Sequence, residues 1–171
     1  MIMVSILNKL IGSGKLNFKE GEVELLGTKI CLIPPDMYLE LLRGLRALKS
    51  EQMLYEISED SSKRWFHELV KSSKKSMESL VDTVPTVLNL LALGEVSFQK
   101  KDFSKLEFEV VLENSLIAEL WGKSQDPVGI QFAGYLAGAF SSIFNKKMQC
   151  NEVECKTVSS DKCVFIIKGV N

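Results

Sequence analysis

Three features of this 171-residue chain predict a mixed α and β fold. Apolar residues recur at helical spacing between Met37 and Leu93. They alternate with acidic ones from Leu106 to Glu113, and Met148 to Ile167 reads as two β-rich runs around a polar turn.

The elements follow in order. Val23-Glu24-Leu25-Leu26, Gly27-Thr28 and Lys29-Ile30-Cys31-Leu32-Ile33 make a strand, a turn and a strand, and Pro34-Pro35 ends the pairing. Asp36 caps a helix whose Met37, Leu41, Leu42, Leu45 and Leu48 recur at helical spacing, and a second helical pattern covers Glu51 to Val70. A third spans Lys74 to Leu93, with Pro85 kinking it or splitting it at Thr83 and Gly94 ending it. Leu106, Phe108, Val110 and Leu112 then face inward from a strand whose outer side carries Glu107, Glu109, Val111 and Glu113. Asn114-Ser115 interrupts that strand, Leu116 to Trp121 reads as its continuation, and Pro127 opens a helix running to Lys147. Ala133, Gly134, Ala137, Gly138 and Ser141 gather on one side of this helix. Interior glycine costs a helix about 1 kcal/mol, so the pair at Gly134 and Gly138 predicts compensation by close packing, of the helix on a sheet in the first place, with a glycine-lined ligand wall as the other reading. The chain closes with an extended run from Met148 to Val158, the turn Ser159-Ser160-Asp161-Lys162, and the return Cys163-Val164-Phe165-Ile166-Ile167.

The length fits one domain, 1–171, and 46% hydrophobic against 25% charged residues is enough apolar material for a packed core. Lys plus Arg number 21 and Asp plus Glu 22, so no global field draws the chain to nucleic acid. No apolar run reaches the ~18 residues of a membrane span. The first ten residues lack the pattern of a signal peptide, which points to the cytoplasm, where cysteines stay reduced.

Enzymatic motifs are missing: no strand-to-helix loop has the glycine pattern of a nucleotide site, and His67, the one histidine, lies mid-helix away from any nucleophile elbow. Beside Trp65 and Phe66 it reads as a partly buried structural residue, so no catalytic residue is assigned. Chemistry concentrates instead in Cys150-Asn151-Glu152-Val153-Glu154-Cys155 and Cys163. Two thiolates with a carboxylate can hold a soft divalent cation such as zinc, and ordinary reduced cysteines in a sheet core are the other reading. On a flat strand Cys150, Glu152 and Glu154 point one way and Cys155 the other, unless a bulge intervenes.

The run Asp126 to Phe140, with Gly134-Tyr135-Leu136-Ala137-Gly138 at its centre, followed by Glu152-x-x-Cys155 and Cys163-Val164-Phe165, resembles the 4-vinyl reductase, or hydrocarbon-binding, domain family. The resemblance is specific over Asp126 to Ile167, and over Glu22 to Leu112 only the order of elements agrees. It implies an α/β fold of the α+β type, an antiparallel sheet packed against a helical layer as in small subunits of vesicle-tethering complexes. A homodimer through the early helices and an enclosed apolar pocket are also implied. In aromatic-sensing members zinc is held by a cysteine at the helix start, the glutamate and the two later cysteines. Glu152, Cys155 and Cys163 match that set, whereas Gly129 stands near the place of the first cysteine, and Cys150 is the candidate to replace it. A water or an incomplete site are the alternatives.

The function expected on these grounds is a small-molecule binding module without catalysis, in which Trp65, Leu106, Phe108, Val110, Phe132, Tyr135 and Leu136 line a pocket for an apolar or aromatic ligand under a zinc clip. The alternatives are reduction of a vinyl group, or an accessory role, in tetrapyrrole synthesis, and a dimeric interaction scaffold.

Overall fold

The computed structural model describes residues 8, 11–25, 27–91 and 93–170 and divides at Pro34 into two compact units. The first holds β1 (Leu16–Lys19), β2 (Glu22–Leu25) and β3 (Thr28–Ile30), an antiparallel meander in that order. Gly21 at φ 75° and Gly27 at φ 81° make its two turns, a region of backbone open to glycine at little cost. β1 precedes the expected hairpin, and Leu26 of that hairpin lies outside the described residues.

The second unit runs α1 (Pro35–Ala47), α2 (Glu51–Ser72), α3 (Met77–Val81), α4 (Thr83–Leu90), β4 (Glu95–Asp102), β5 (Glu107–Glu113), α5 (Leu116–Trp121), α6 (Ile130–Phe144), β6 (Met148–Glu154) and β7 (Cys163–Gly169). Its four strands form an antiparallel sheet in the order β4-β5-β7-β6. The expected third helix is split at Asp82, three residues before Pro85, which thereby falls in the first turn of α4, where proline is tolerated. None of the described helices is long and apolar enough to cross a membrane.

α6 is the centre of the unit, packed on α2 along one side and on β6 and β7 along another. Phe108 meets Phe140 at 4.8 Å and Phe132 meets Phe165 at 5.0 Å between helix and sheet. Against α2 the approach is backbone to backbone: a Cβ at Gly134 would collide with the Tyr55 carbonyl, and one at Gly138 with the Glu59 carbonyl. The facing line of α2 is accordingly polar or small. Ser62 Oγ donates to the Tyr135 carbonyl at 2.7 Å, and the buried Glu59 carboxylate accepts from Lys147 Nζ at 2.6 Å. Pairing keeps Glu59 tolerable there, since an isolated buried charge is costly.

Four expectations are corrected. Leu116 to Trp121 is helix α5, because Asn114 at φ 51° ends the strand and the Ser115 hydroxyl accepts from the Ala118 N–H at 3.2 Å. Leu106 sits at φ 50° in the turn before β5, its carbonyl accepting from the Gly169 N–H, so it does not face inward from the strand. α6 begins at Ile130 with Gly129 as its N-cap and ends at Asn145, a left-handed cap, rather than running from Pro127 to Lys147. His67 is exposed. On α1, Leu39 and Leu42 are buried, while Met37, Leu41 and Leu48 of the expected apolar stripe stay open to solvent, as do Met53 and Ile57 of α2.

Candidate metal and ligand site

The site is made by an irregularity in β6. Met148 and Cys150 are buried between exposed Gln149 and Asn151, as alternation requires. Glu152 pairs with Phe165, but Glu154 pairs with Val164, so one residue is bulged out at Val153. Past the bulge Glu154 is exposed and Cys155 turns inward, on the side of Glu152. The N–H groups of Val158, Ser159 and Ser160 all point to the Cys155 carbonyl at 3.1–3.3 Å and coil the connection back toward β7. Cys163, the first residue of β7, thereby brings its sulfur to 4.0 Å from that of Cys155. Across the gap the Gly129 N–H, at the start of α6, donates to Glu152 Oε2 at 2.7 Å.

One ligand atom each from Glu152, Cys155 and Cys163 lies within 4.8 Å of the others. Among the described residues this is the one such group of three. The edge of a tetrahedron with 2.3 Å metal–sulfur bonds is about 3.8 Å, close to the observed sulfur separation, so the donor set fits a soft divalent cation. Cys150 shares the inward face of β6 but is not in the group; its N–H donates to the Tyr55 hydroxyl at 3.1 Å.

Crowding three acidic groups displaces their titration. Burial pushes the Glu152 carboxyl up to about 8, helped by the Cys155 sulfur and opposed by the Gly129 N–H. The hydrogen bond donated by Cys163 draws Cys155 down to about 4, and the same contact, with burial, pushes the Cys163 thiol far up. At neutral pH the metal-free cluster thus keeps about one negative charge and two protons. A bound cation would replace those protons.

Beside the cluster lies a cavity of about 20 Å³, walled by Ile117, Val128, Gln131, Phe132, Glu152 and Cys163 among others. Its lining is mainly apolar, yet Gln131 Oε1 and Glu152 Oε1 are buried with no protein partner. An unpaired buried polar atom costs ~1–3 kcal/mol, a cost that a partner for Gln131 Oε1, or a cation replacing the Glu152 proton, would relieve.

Of the residues expected to line a pocket, Phe132 alone borders this cavity. Phe108, Val110 and Leu136 are fully buried in the core. Trp65 is half-buried, edge-on to Phe66 at 5.9 Å and to Tyr135 at 6.2 Å, and the buried Tyr135 hydroxyl has no protein partner. Gln131, Ile117 and the Gly129 N–H were not foreseen. Gln131 had a signal, since it is the one strongly polar side chain in the first two turns of an otherwise apolar helix.

Residues 108–169 match the model of the V4R domain. An uncharacterized protein of Methanocaldococcus jannaschii is 30% identical over 133 residues, 78% of this chain and 75% of that protein. The chain belongs to the V4R, or vinyl-4-reductase, family. A crystal structure of a vinyl-4-reductase family protein from M. jannaschii is 28% identical with a TM-score of 0.58, covering 83% of this V4R chain and 85% of that one. The phenol-responsive sensory domain of the transcription activator PoxR, solved with phenol, is 21% identical with a TM-score of 0.82, over 98% of this chain and 90% of its own. A trafficking protein particle complex subunit 3 from Naegleria fowleri, covalently bound to palmitic acid, shares the fold at 12% identity and a TM-score of 0.61, over 80% and 95%. The expected architecture, an antiparallel sheet on a helical layer, is that of these neighbours.

Proposed function

We propose that this V4R domain binds a small apolar or aromatic molecule in the space between α5, the start of α6 and the β6–β7 hairpin, and that zinc held by Glu152, Cys155 and Cys163 clips that hairpin to the helix start. The observation that carries the reading is that cluster and cavity share residues. Glu152 and Cys163 belong to both, and Gln131, whose buried Oε1 has no protein partner, lines the same space. Ligand sites are mostly apolar with a few placed polar groups, and this one has that character. The likeness in fold to a phenol-responsive domain supports it.

The cavity as it stands has room for about one water. A ring-sized ligand therefore requires the walls to move, and the short helix α5 and segment 122–129 are the part outside the sheet that can do so. With no charged anchor, affinity would come from apolar burial at ~25 cal/mol per Å² and one hydrogen bond to Gln131.

The reading includes a homodimer and a cytoplasmic setting. Met37 and Leu41 on α1, Leu48 just after it, and Met53 and Ile57 on α2 are more than half exposed, a cost that a second copy would relieve. All four cysteines are free thiols, as a reducing compartment keeps them.

Native mass spectrometry of the purified protein tests these parts together. A dimer carrying one zinc per chain, with phenol or toluene retained on addition, is the expected result. A metal-free chain that retains neither probe overturns the reading.

A further inference from the structure

If zinc occupies the cluster as proposed, Gly129 decides what kind of site it is. Its backbone has φ −86° and ψ 21°, a conformation open to any residue, so glycine is not required there for the chain's path. What it supplies is space. A Cβ at 129 would lie 2.8 Å from Glu152 Oε2 and 2.9 Å from the carboxyl carbon, closer than real Cβ contacts. The carboxylate has moved into the volume that a side chain at this position would fill.

The protein therefore offers three donors where zinc takes four. No fourth His, Cys, Asp or Glu among the described residues joins the group, and Cys150 is held off it. Closed structural sites use four protein ligands, whereas sites with three keep a position for an exchangeable molecule. Two of the three donors here, Glu152 and Cys163, border the cavity, as do Gly129 and the unpaired Gln131 Oε1.

We infer that the metal site is open toward the cavity, and that the ligand is a compact apolar molecule carrying one metal-binding atom, which completes the coordination while Gln131 accepts a hydrogen bond from the same head group. Imidazole meets both requirements, one nitrogen for the metal and the other's N–H for Gln131 Oε1, whereas a thiolate or phenolate would fill the metal position alone. This makes the metal part of ligand recognition rather than a clip beside it.

Cobalt substitution tests the inference apart from the metal reading beneath it. Chelated protein is reloaded with equimolar Co(II), and a near-ultraviolet thiolate-to-cobalt band that disappears in Cys163→Ser is expected. Absence of that band in the wild type overturns the metal reading, and the inference with it. With the band present, imidazole and benzenethiol are titrated separately. A saturable change in the visible d–d bands is expected, and unchanged bands mean a closed site, which overturns the inference while leaving the metal in place. Gly129→Cys, which supplies a fourth ligand as a third thiolate, should strengthen the charge-transfer band and weaken the imidazole response roughly tenfold or more, by competition for one position. An undiminished response in a folded, cobalt-loaded Gly129→Cys overturns it as well. If that variant does not fold, Gln131→Ala takes its place, with the cobalt band kept and imidazole affinity reduced several-fold; unaltered affinity removes Gln131 from the site.

Discussion

α6 uses glycine in two ways within ten residues. At Gly134 and Gly138 the missing Cβ is replaced by the backbone of α2, whose Tyr55 and Glu59 carbonyls fill the space. At Gly129 it is replaced by the end of a side chain, the Glu152 carboxylate. A backbone wall cannot retreat without separating two helices, but a carboxylate can rotate away. Equal lack of space therefore means packing at one end of the helix and an adjustable site at the other.

The same substitution made at both places is the strongest way to break this comparison. Gly138→Ala gains helix propensity of ~1 kcal/mol but forces α2 and α6 apart, and overpacking against a rigid wall leads us to expect a net loss of about 3 kcal/mol in urea unfolding, with or without zinc. Gly129→Ala should leave metal-free stability within about 1 kcal/mol while weakening zinc affinity, because it displaces Glu152, a proposed donor. Equal losses at both positions would show that the helix start is as rigid as its middle.

Zinc itself gives the next largest effect. At a free concentration one hundred times Kd, binding to the folded state alone adds about 2.7 kcal/mol, a rise in Tm of ~5–10 °C for a chain of this size. Differential scanning calorimetry with and without chelator should show it, and Cys155→Ser or Cys163→Ser should abolish it. The proton count sets the pH dependence. Between about pH 4 and pH 8, Cys155 is ionised while Glu152 and Cys163 keep their protons, so binding releases about two and Kd falls roughly hundredfold per pH unit. Above pH 8 Glu152 has already lost its proton, and the slope should drop to about one decade per unit. A slope that stays flat across neutral pH would mean that the metal is not held by these thiols.

The contrast within α6 also marks how far the sequence can be read. Its spacing of Gly134 and Gly138 foretold close packing, although the neighbour is helix α2 rather than the expected sheet, and the period of α2 set that helix to within two residues of its observed end at Ser72. Proline located the break between α3 and α4. Leu116 to Trp121 was misread because six mostly apolar residues fit strand and helix alike; the Ser115 cap, which decides it, is a single hydroxyl. β1, Leu-Asn-Phe-Lys, is too short to carry a period. In the site, Glu152, Cys155 and Cys163 were legible as a motif, but the bulge at Val153 that unites them follows from pairing with β7 rather than from local residues. The pocket residues were chosen as apolar and aromatic positions facing inward, and Phe108, Val110 and Leu136 among them fill the core. Phe132 and the polar exception, Gln131, border the cavity.

Cys150 gives the smallest predicted effect and separates strand face from metal set. Its side chain is buried on the inward side of β6 with Glu152, two residues away, so alternation alone made it a candidate fourth ligand. The bulge reverses that argument: it carries Cys155 to the Glu152 side, and the cluster forms without Cys150. Cys150→Ser exchanges a thiol that behaves as a small hydrophobe for a hydroxyl in a buried place, and should cost about 1 kcal/mol. Metal stoichiometry, the cobalt charge-transfer intensity and the pH slope of Kd should all stay at wild-type values. A lost equivalent of metal in Cys150→Ser, at unchanged secondary structure, would mean that β6 shifts its register on binding and that the open position argued for Gly129 is filled by a fourth protein ligand, the Cys150 sulfur.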